Sequence, residues 1–170
     1  MNKGPHRGPF SLAHPLSNQE AFFLSPLGWL RLRCEEGALV AVDYASVPPA
    51  LSLPVGEPCL VQAIAWLEAY FSCRPLPVLP LLSPVGTSFQ QSVWAELTHI
   101  PPGTTRTYGD LAHALGTSPR AVGGALRANP IPLLIPCHRV VAADGLGGYA
   151  GAGSEGIRRK RWLLRHEQVP

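Results

Sequence analysis

Prolines at 75, 77, 80 and 84 stud the run "RPLPVLPLLSPVG", and no other feature restricts the fold as much. Proline has no amide hydrogen to give to a helix or a central strand, and it bars the residue before it from the helical region. Such a run joins two bodies rather than belonging to either. It divides the chain into residues 1–80 and 81–170. In the first part, residues 1–20 read as a loosely ordered arm rich in Gly, Pro and His. From Ala21 to Asp43 the alternation through Trp29, Leu30 and Leu32 is that of β-strand, with a turn at Glu35-Glu36-Gly37. "SVPPALSLPVGEP" is a connector. "CLVQAIAWLEAYFSC" then sets Leu60, Ile64, Leu67 and Phe71 at helical spacing. An α/β domain with a mostly antiparallel sheet and a helix is expected.

The second part is mainly α. "SFQQSVWAELTHI" opens on an N-cap candidate, Ser88, and repeats Phe89, Val93 and Leu97. "PPGTTRT" reads as a loop. "YGDLAHALG" is a short helix ended by Gly116. Thr117 or Ser118 caps the next helix, with Pro119 as its first residue and "PRAVGGALRAN" as its body. Two helices across a tight Gly-containing turn make a helix-turn-helix. Gly123-Gly124 inside the second helix costs about 1–2 kcal/mol against two alanines. That cost is tolerable where another backbone must come close, either a neighbouring strand or DNA. Arg120 and Arg127 favour DNA.

Charge agrees with this reading. The net charge is +3, and the positive excess lies beyond residue 100. That suits a polyanionic partner such as nucleic acid, or a solvated basic surface. Hydrophobic residues make up 46%, enough for a buried core, yet no apolar run approaches the roughly 20 residues that span a bilayer. The N-terminus lacks the apolar stretch of a secretory signal, so a cytoplasmic location is expected. Cys34, Cys59, Cys73 and Cys137 form no C-x-x-C pair and no disulfide framework, so free thiols and no bound metal are expected.

The run "IPLLIPCHRVV" places Cys137 after an apolar "LLI", read as a short buried strand bracketed by Pro132 and Pro136. A thiol of ordinary pKa, about 8.5, is only a few per cent thiolate at neutral pH and needs a base. His138 is adjacent. Neighbouring side chains of an extended segment point to opposite faces, so a relay through one water is expected rather than a direct bond. The imidazole would need an orienting acceptor in turn.

Taken in order, "FQQSVWAEL", "TYGDLA", "RAVGGALRANP", "IPLLIPCHRVV", "GGYAG" and "KRWLLRHE" cover nearly all of residues 88–167 and resemble the O6-alkylguanine-DNA alkyltransferases, the single-use DNA repair proteins. The resemblance implies a ribonuclease-H-like first domain and a winged-helix-like helix-turn-helix in the second. It implies irreversible transfer of an alkyl group from O6 of guanine, and from O4 of thymine, in double-stranded DNA to Cys137. No cofactor is needed, and the protein would act as a monomer. His138 would deprotonate Cys137, Glu167 would orient His138, Asn129 would serve as a hinge, and Tyr108 would assist the leaving purine. Arg120 would take the place of the flipped nucleotide. Ala121, Gly123, Gly124 and Arg127 would lie along the minor groove. Leu126, Pro132, Val140, Tyr149 and Ala150 would wall the pocket. Between Tyr149 and Lys160 the chain carries "AGAGSEGIRR", a longer join than the family's usual one, and Ala150 lacks a hydroxyl found there in some relatives. Other classes remain open on the residues alone: a non-catalytic lesion binder, a helix-turn-helix transcription factor, or a cysteine hydrolase, the last without a visible oxyanion hole.

Overall fold

A computed structural model describes residues 19–45, 56–149 and 153–168. The N-terminal arm, most of the first proline-rich connector and Ala150 lie outside the described residues. Three antiparallel strands, β1 (Gln19–Ser25), β2 (Gly28–Glu35) and β3 (Ala38–Ala45), lie in the order β1-β2-β3. Alternation sends Leu30, Leu32 and Cys34 of β2 inward, with Leu32 opposite Ala21 on one side and Val42 on the other. The β2–β3 turn uses Glu36 and Gly37, both at positive φ, as a two-residue hairpin of this twist requires. A second hairpin at Pro26-Leu27, not identified from the sequence, is closed by Ser25, whose hydroxyl donates to Gly28 O at 2.7 Å.

Helix α1 (Pro58–Phe71) starts on a proline and lays Leu60, Ala63, Leu67 and Tyr70 against the core. Its first turn is joined to the sheet by a disulfide between Cys34 and Cys59, which corrects the expectation of free thiols at these two positions. The pairing comes from packing of α1 on β2, which no spacing rule encodes. Cys73 and Cys137 are free.

The proline run does not leave the sheet. Leu39 N donates to Leu81 O at 2.8 Å and Ser83 N donates to Leu39 O at 2.9 Å, so the segment covers the outer edge of β3. Four prolines limit this pairing to one bridge, Leu39 to Leu82. Further along the same edge Val42 N donates to Pro130 O at 2.9 Å. One apolar cluster runs from Ala21 through Trp94 and Ile135 to Leu163.

Helix α2 (Ser88–Thr98) is capped by Thr87, not Ser88. Thr87 and Gln90 form a reciprocal capping box, and an N-cap must precede the first helical residue. Phe89, expected on the apolar face, is exposed, while Val93, Trp94 and Leu97 are buried. The segment expected to be loop ends in a strand, β4 (Arg106–Thr107), which pairs in parallel with β5 (Val140–Val141). Helix α3 (Tyr108–Ala114) follows at once, capped by Thr107 and Asp110. Gly116, at φ +61, turns the chain into α4 (Pro119–Arg127), capped by Ser118. Trp94 Nε1 donates to Ala125 O at 2.9 Å and fastens α2 to α4. Helix α5 (Ser154–His166) closes the described chain, so much of the supposed long join after Tyr149 is helix. Among the described residues no helix is long and apolar enough to cross a membrane.

Candidate active site

Every residue from Ile131 to Val140 is buried, yet "LLI" is not the strand expected. Pro132 and Pro136 deny it a ladder, and the segment folds as a tight turn with Ile135 N donating to Ile131 O at 2.9 Å and Leu133 at φ +77. Asn129 holds both ends of that turn. Its Oδ1 accepts from Ile131 N at 3.0 Å and its Nδ2 donates to Ile135 O at 2.9 Å. Cys137, His138 and Arg139 then form a single 3-10 turn rather than an extended end.

Cys137 lines a cavity of about 810 Å³ although only 3% of its surface is exposed. Tyr108, Arg120, Gly123, Gly124, Leu126, Arg127 and Tyr149 share the lining with it. A volume of this size is ample for a small organic ligand. Arg120 and Arg127 are exposed at the rim, and a Cβ on Gly124 would meet nothing within 4 Å. Strand packing therefore does not explain that glycine, and the helix face is bare toward the cavity. Pro132 and Val140, expected as walls, are buried and do not line the cavity; Val140 turns its carbonyl to Lys160 instead. Ala121 sits in the first turn of α4, its amide donating to the Ser118 hydroxyl at 3.2 Å. Thr107, Ala142 and Gly148 are lining residues the sequence reading missed.

Behind the sulfur, His138 is fully buried. Its Nε2 lies 2.6 Å from Glu167 Oε1. Burial alone would raise the Glu167 pKa, but hydrogen bonds from His138 and Arg139, with their charge, hold this carboxyl well below its ordinary range. An ionised carboxylate only accepts, so Nε2 carries the hydrogen and Nδ1 presents a lone pair. Burial keeps the His138 pKa low, so the ring is neutral near pH 7. Nδ1 is buried with no hydrogen-bond partner among the described residues. A buried acceptor of this kind calls for a water or an incoming proton donor.

The carboxylate also accepts from Arg139 Nε and Nη2, both at 2.9 Å, from Tyr70 Oη at 2.6 Å and from Gly103 N at 3.3 Å. Arg139 Nη1 donates to Ile100 O at 2.6 Å. Neither Tyr70 nor Arg139 was singled out from the sequence. Lys160 was missed too. It is fully buried, donating to Val140 O at 2.5 Å and Gly148 O at 2.9 Å. Burial lowers its pKa to about 8. The signal was present, since Lys160 lies at helical spacing with Leu163, Leu164 and Glu167 on the inner face of α5.

Burial pushes the Cys137 thiol up to about 11, with the Asn129 carboxamide and the Lys160 charge pulling it down. The resting sulfur is therefore a protonated thiol, and the imidazole of the next residue is neutral. Tyr108 stands across the cavity, its hydroxyl donating to Gly148 O at 3.3 Å. Gly147, at φ +66, allows this approach, because a Cβ there would come within 2.8 Å of the Tyr108 ring.

The chain that carries this site is similar to known proteins. The family model for the DNA-binding domain of 6-O-methylguanine DNA methyltransferase matches residues 88–169. A methylated-DNA–protein-cysteine methyltransferase of Mus musculus is 41% identical, covering 86% of this chain and 79% of its own. The protein of that name from Methanosarcina acetivorans is 40% identical, covering 86% and 96%. The crystal structure of Mycobacterium tuberculosis OGT in complex with DNA superposes with a TM-score of 0.74 at 36% identity, over 89% of this chain and 94% of that one. With identity at this level along most of both chains, this protein belongs to the methylated-DNA–protein-cysteine methyltransferase family.

Proposed function

We propose that the protein repairs DNA by moving an alkyl group from O6 of guanine, or O4 of thymine, directly and irreversibly onto Cys137. The observation that carries this reading is the sulfur itself, which opens on a cavity large enough to admit a purine, with a neutral His138 as the next residue and an ionised Glu167 bonded to it. A base inside a duplex cannot reach such a sulfur. It must be rotated out, at a cost of a few kcal/mol. Arg120 at the rim fills the gap in the stack, and Ala121, Gly123, Gly124 and Arg127 follow the minor groove; contacts of this kind offset the cost.

With the base seated, the Cys137 proton passes through a water to Nδ1 of His138. Glu167 stabilises the imidazolium that results. The sulfur attacks the alkyl carbon in line, the carbon–oxygen bond breaks, and its electron pair stays on the purine. Tyr108, turning its hydroxyl from Gly148 O, donates to the purine as that charge develops. Asn129 keeps the turn that presents the sulfur, and Leu126 and Tyr149 confine the base. Pro132 and Val140 act from behind through the backbone. The thioether has no route back, so each molecule acts once, as a monomer, without metal or cofactor. A cytoplasmic location goes with this reading.

The same reading makes the sheet and α1 a ribonuclease-H-like structural domain, residues 1–80, supported by the antiparallel order and the helix packed on one face. Residues 81–170 form the reactive domain, with β4–β5 as the wing beside α3 and α4.

The test uses duplex DNA with a labelled O6-methyl group. At most one equivalent of label should appear on Cys137, and Cys137→Ala should lose transfer but keep DNA binding. Sustained turnover, or binding without any transfer, would reject the proposal, the second outcome pointing to a lesion-binding protein.

A further inference from the structure

Tyr149 lines the same cavity as α4, and nothing in the reaction explains how its ring is held. Its backbone neighbour Gly148 is fixed, since Gly148 O accepts from both Lys160 and Tyr108. The side chain is fixed by a different part of the chain. Tyr44, in β3, brings its hydroxyl to 3.1 Å from the Tyr149 hydroxyl across 105 residues of sequence. Tyr44 does not line the cavity. On its other side the Arg159 guanidinium of α5 stacks 3.9 Å from the Tyr44 ring centroid, while Arg159 Nε lies 3.4 Å from Glu155.

We infer that Tyr44 is a positioning residue that sets the size of alkyl group the cavity accepts, by holding the Tyr149 ring through the hydroxyl pair. This inference rests on the alkyl-transfer reading. Two facing hydroxyls share one hydrogen bond, and the cation over the Tyr44 ring favours Tyr44 as its donor. Tyr149 is buried, so its hydroxyl cannot exchange this partner for solvent at no cost. While the bond stands, the ring is pinned at both ends, by Gly148 at the backbone and by Tyr44 at the tip. Without it the backbone anchor remains but the ring can turn about its side-chain bonds. That turn yields room where a bulky alkyl group would extend, and it alters nothing at Cys137, His138 or Glu167.

The test compares single-turnover rates on two short duplexes, one carrying O6-methylguanine and one O6-benzylguanine, for the full-length protein. Tyr44→Phe should raise the benzyl-to-methyl rate ratio at least threefold with the methyl rate held within twofold. Arg159→Gln, a change at the outer face of the same cluster, should move the ratio in the same direction if Tyr44→Phe does not fold. Tyr44→Phe with Tyr149→Phe should have no more effect than the larger single change, because both remove one bond. An unchanged ratio in Tyr44→Phe and Arg159→Gln, or an equal fall in both rates, overturns the inference. If the unaltered protein transfers neither group, the alkyl-transfer reading itself fails, and the inference with it.

Discussion

His138 Nε2 and Glu167 Oε1 are 2.6 Å apart in a region where both side chains are almost fully buried, at 0% and 2% exposure. The carboxylate that holds the imidazole is also the sole carboxylate within 4.0 Å of Arg139 among the described residues, so one side chain bears on both groups.

Glu167→Gln should therefore do two things. It leaves the buried Arg139 guanidinium without a counter-charge, a loss of about 3 kcal/mol. It also removes the charge that stabilises a protonated His138, so transfer should slow at least tenfold. Urea unfolding and single-turnover rates check both. The unaltered protein should be acid-sensitive in the same sense. The Glu167 pKa is depressed in the folded state, so its stabilisation is present above the ordinary carboxylate pKa and is lost as pH falls below about 4.5.

Cys137 should be sluggish toward general electrophiles and fast toward its substrate. With the thiol at about 11, its thiolate fraction at pH 7 is on the order of 100-fold or more below that of an ordinary cysteine. Mass spectrometry during iodoacetamide treatment at pH 7 should show that shortfall, with the rate rising about tenfold per pH unit. Alkyl transfer, in contrast, should stay level from pH 8 down to the ordinary histidine pKa. It should fall only further into acid, because burial lowers the pKa of His138 and keeps the base neutral there.

Lys160→Met should loosen the 141–149 loop, since Val140 O and Gly148 O lose their donor. Unpaired buried carbonyls cost about 1–3 kcal/mol each, offset in part by removal of a buried charge. The pH profile separates the two effects. With its folded pKa at about 8, Lys160 binds fewer protons folded than unfolded, so the unaltered protein should gain stability relative to Lys160→Met between pH 8 and about 10.5, while the raised Cys137 thiol lowers both alike. Unfolding followed by circular dichroism reads that difference.

Gly147→Ala should hurt transfer more than binding. The new methyl would stand 2.8 Å from a Tyr108 ring carbon, at a φ that favours glycine. Tyr108 must shift, so the rate on O6-methylguanine DNA should drop about tenfold while affinity for undamaged duplex stays within about twofold, read by fluorescence anisotropy.

Much was legible in the sequence because its physics is local. Proline placement kept residues 75–84 out of any helix or ladder, Pro119 opened α4, and an unbroken order of short motifs brought Cys137, His138 and Glu167 forward as candidates. Even there, local reasoning erred where two local rules compete. Pro132 and Pro136 turned an apolar strand into a tight turn, and Thr87 rather than Ser88 took the cap. Partners set by tertiary packing stayed out of reach. Cys34 meets Cys59, Tyr70 meets Glu167 and Tyr44 meets Tyr149 across 25, 97 and 105 residues. Helical and strand periodicity says which face of an element is buried, but only the packed chain decides what waits on the other side, because those contacts depend on how whole elements are docked.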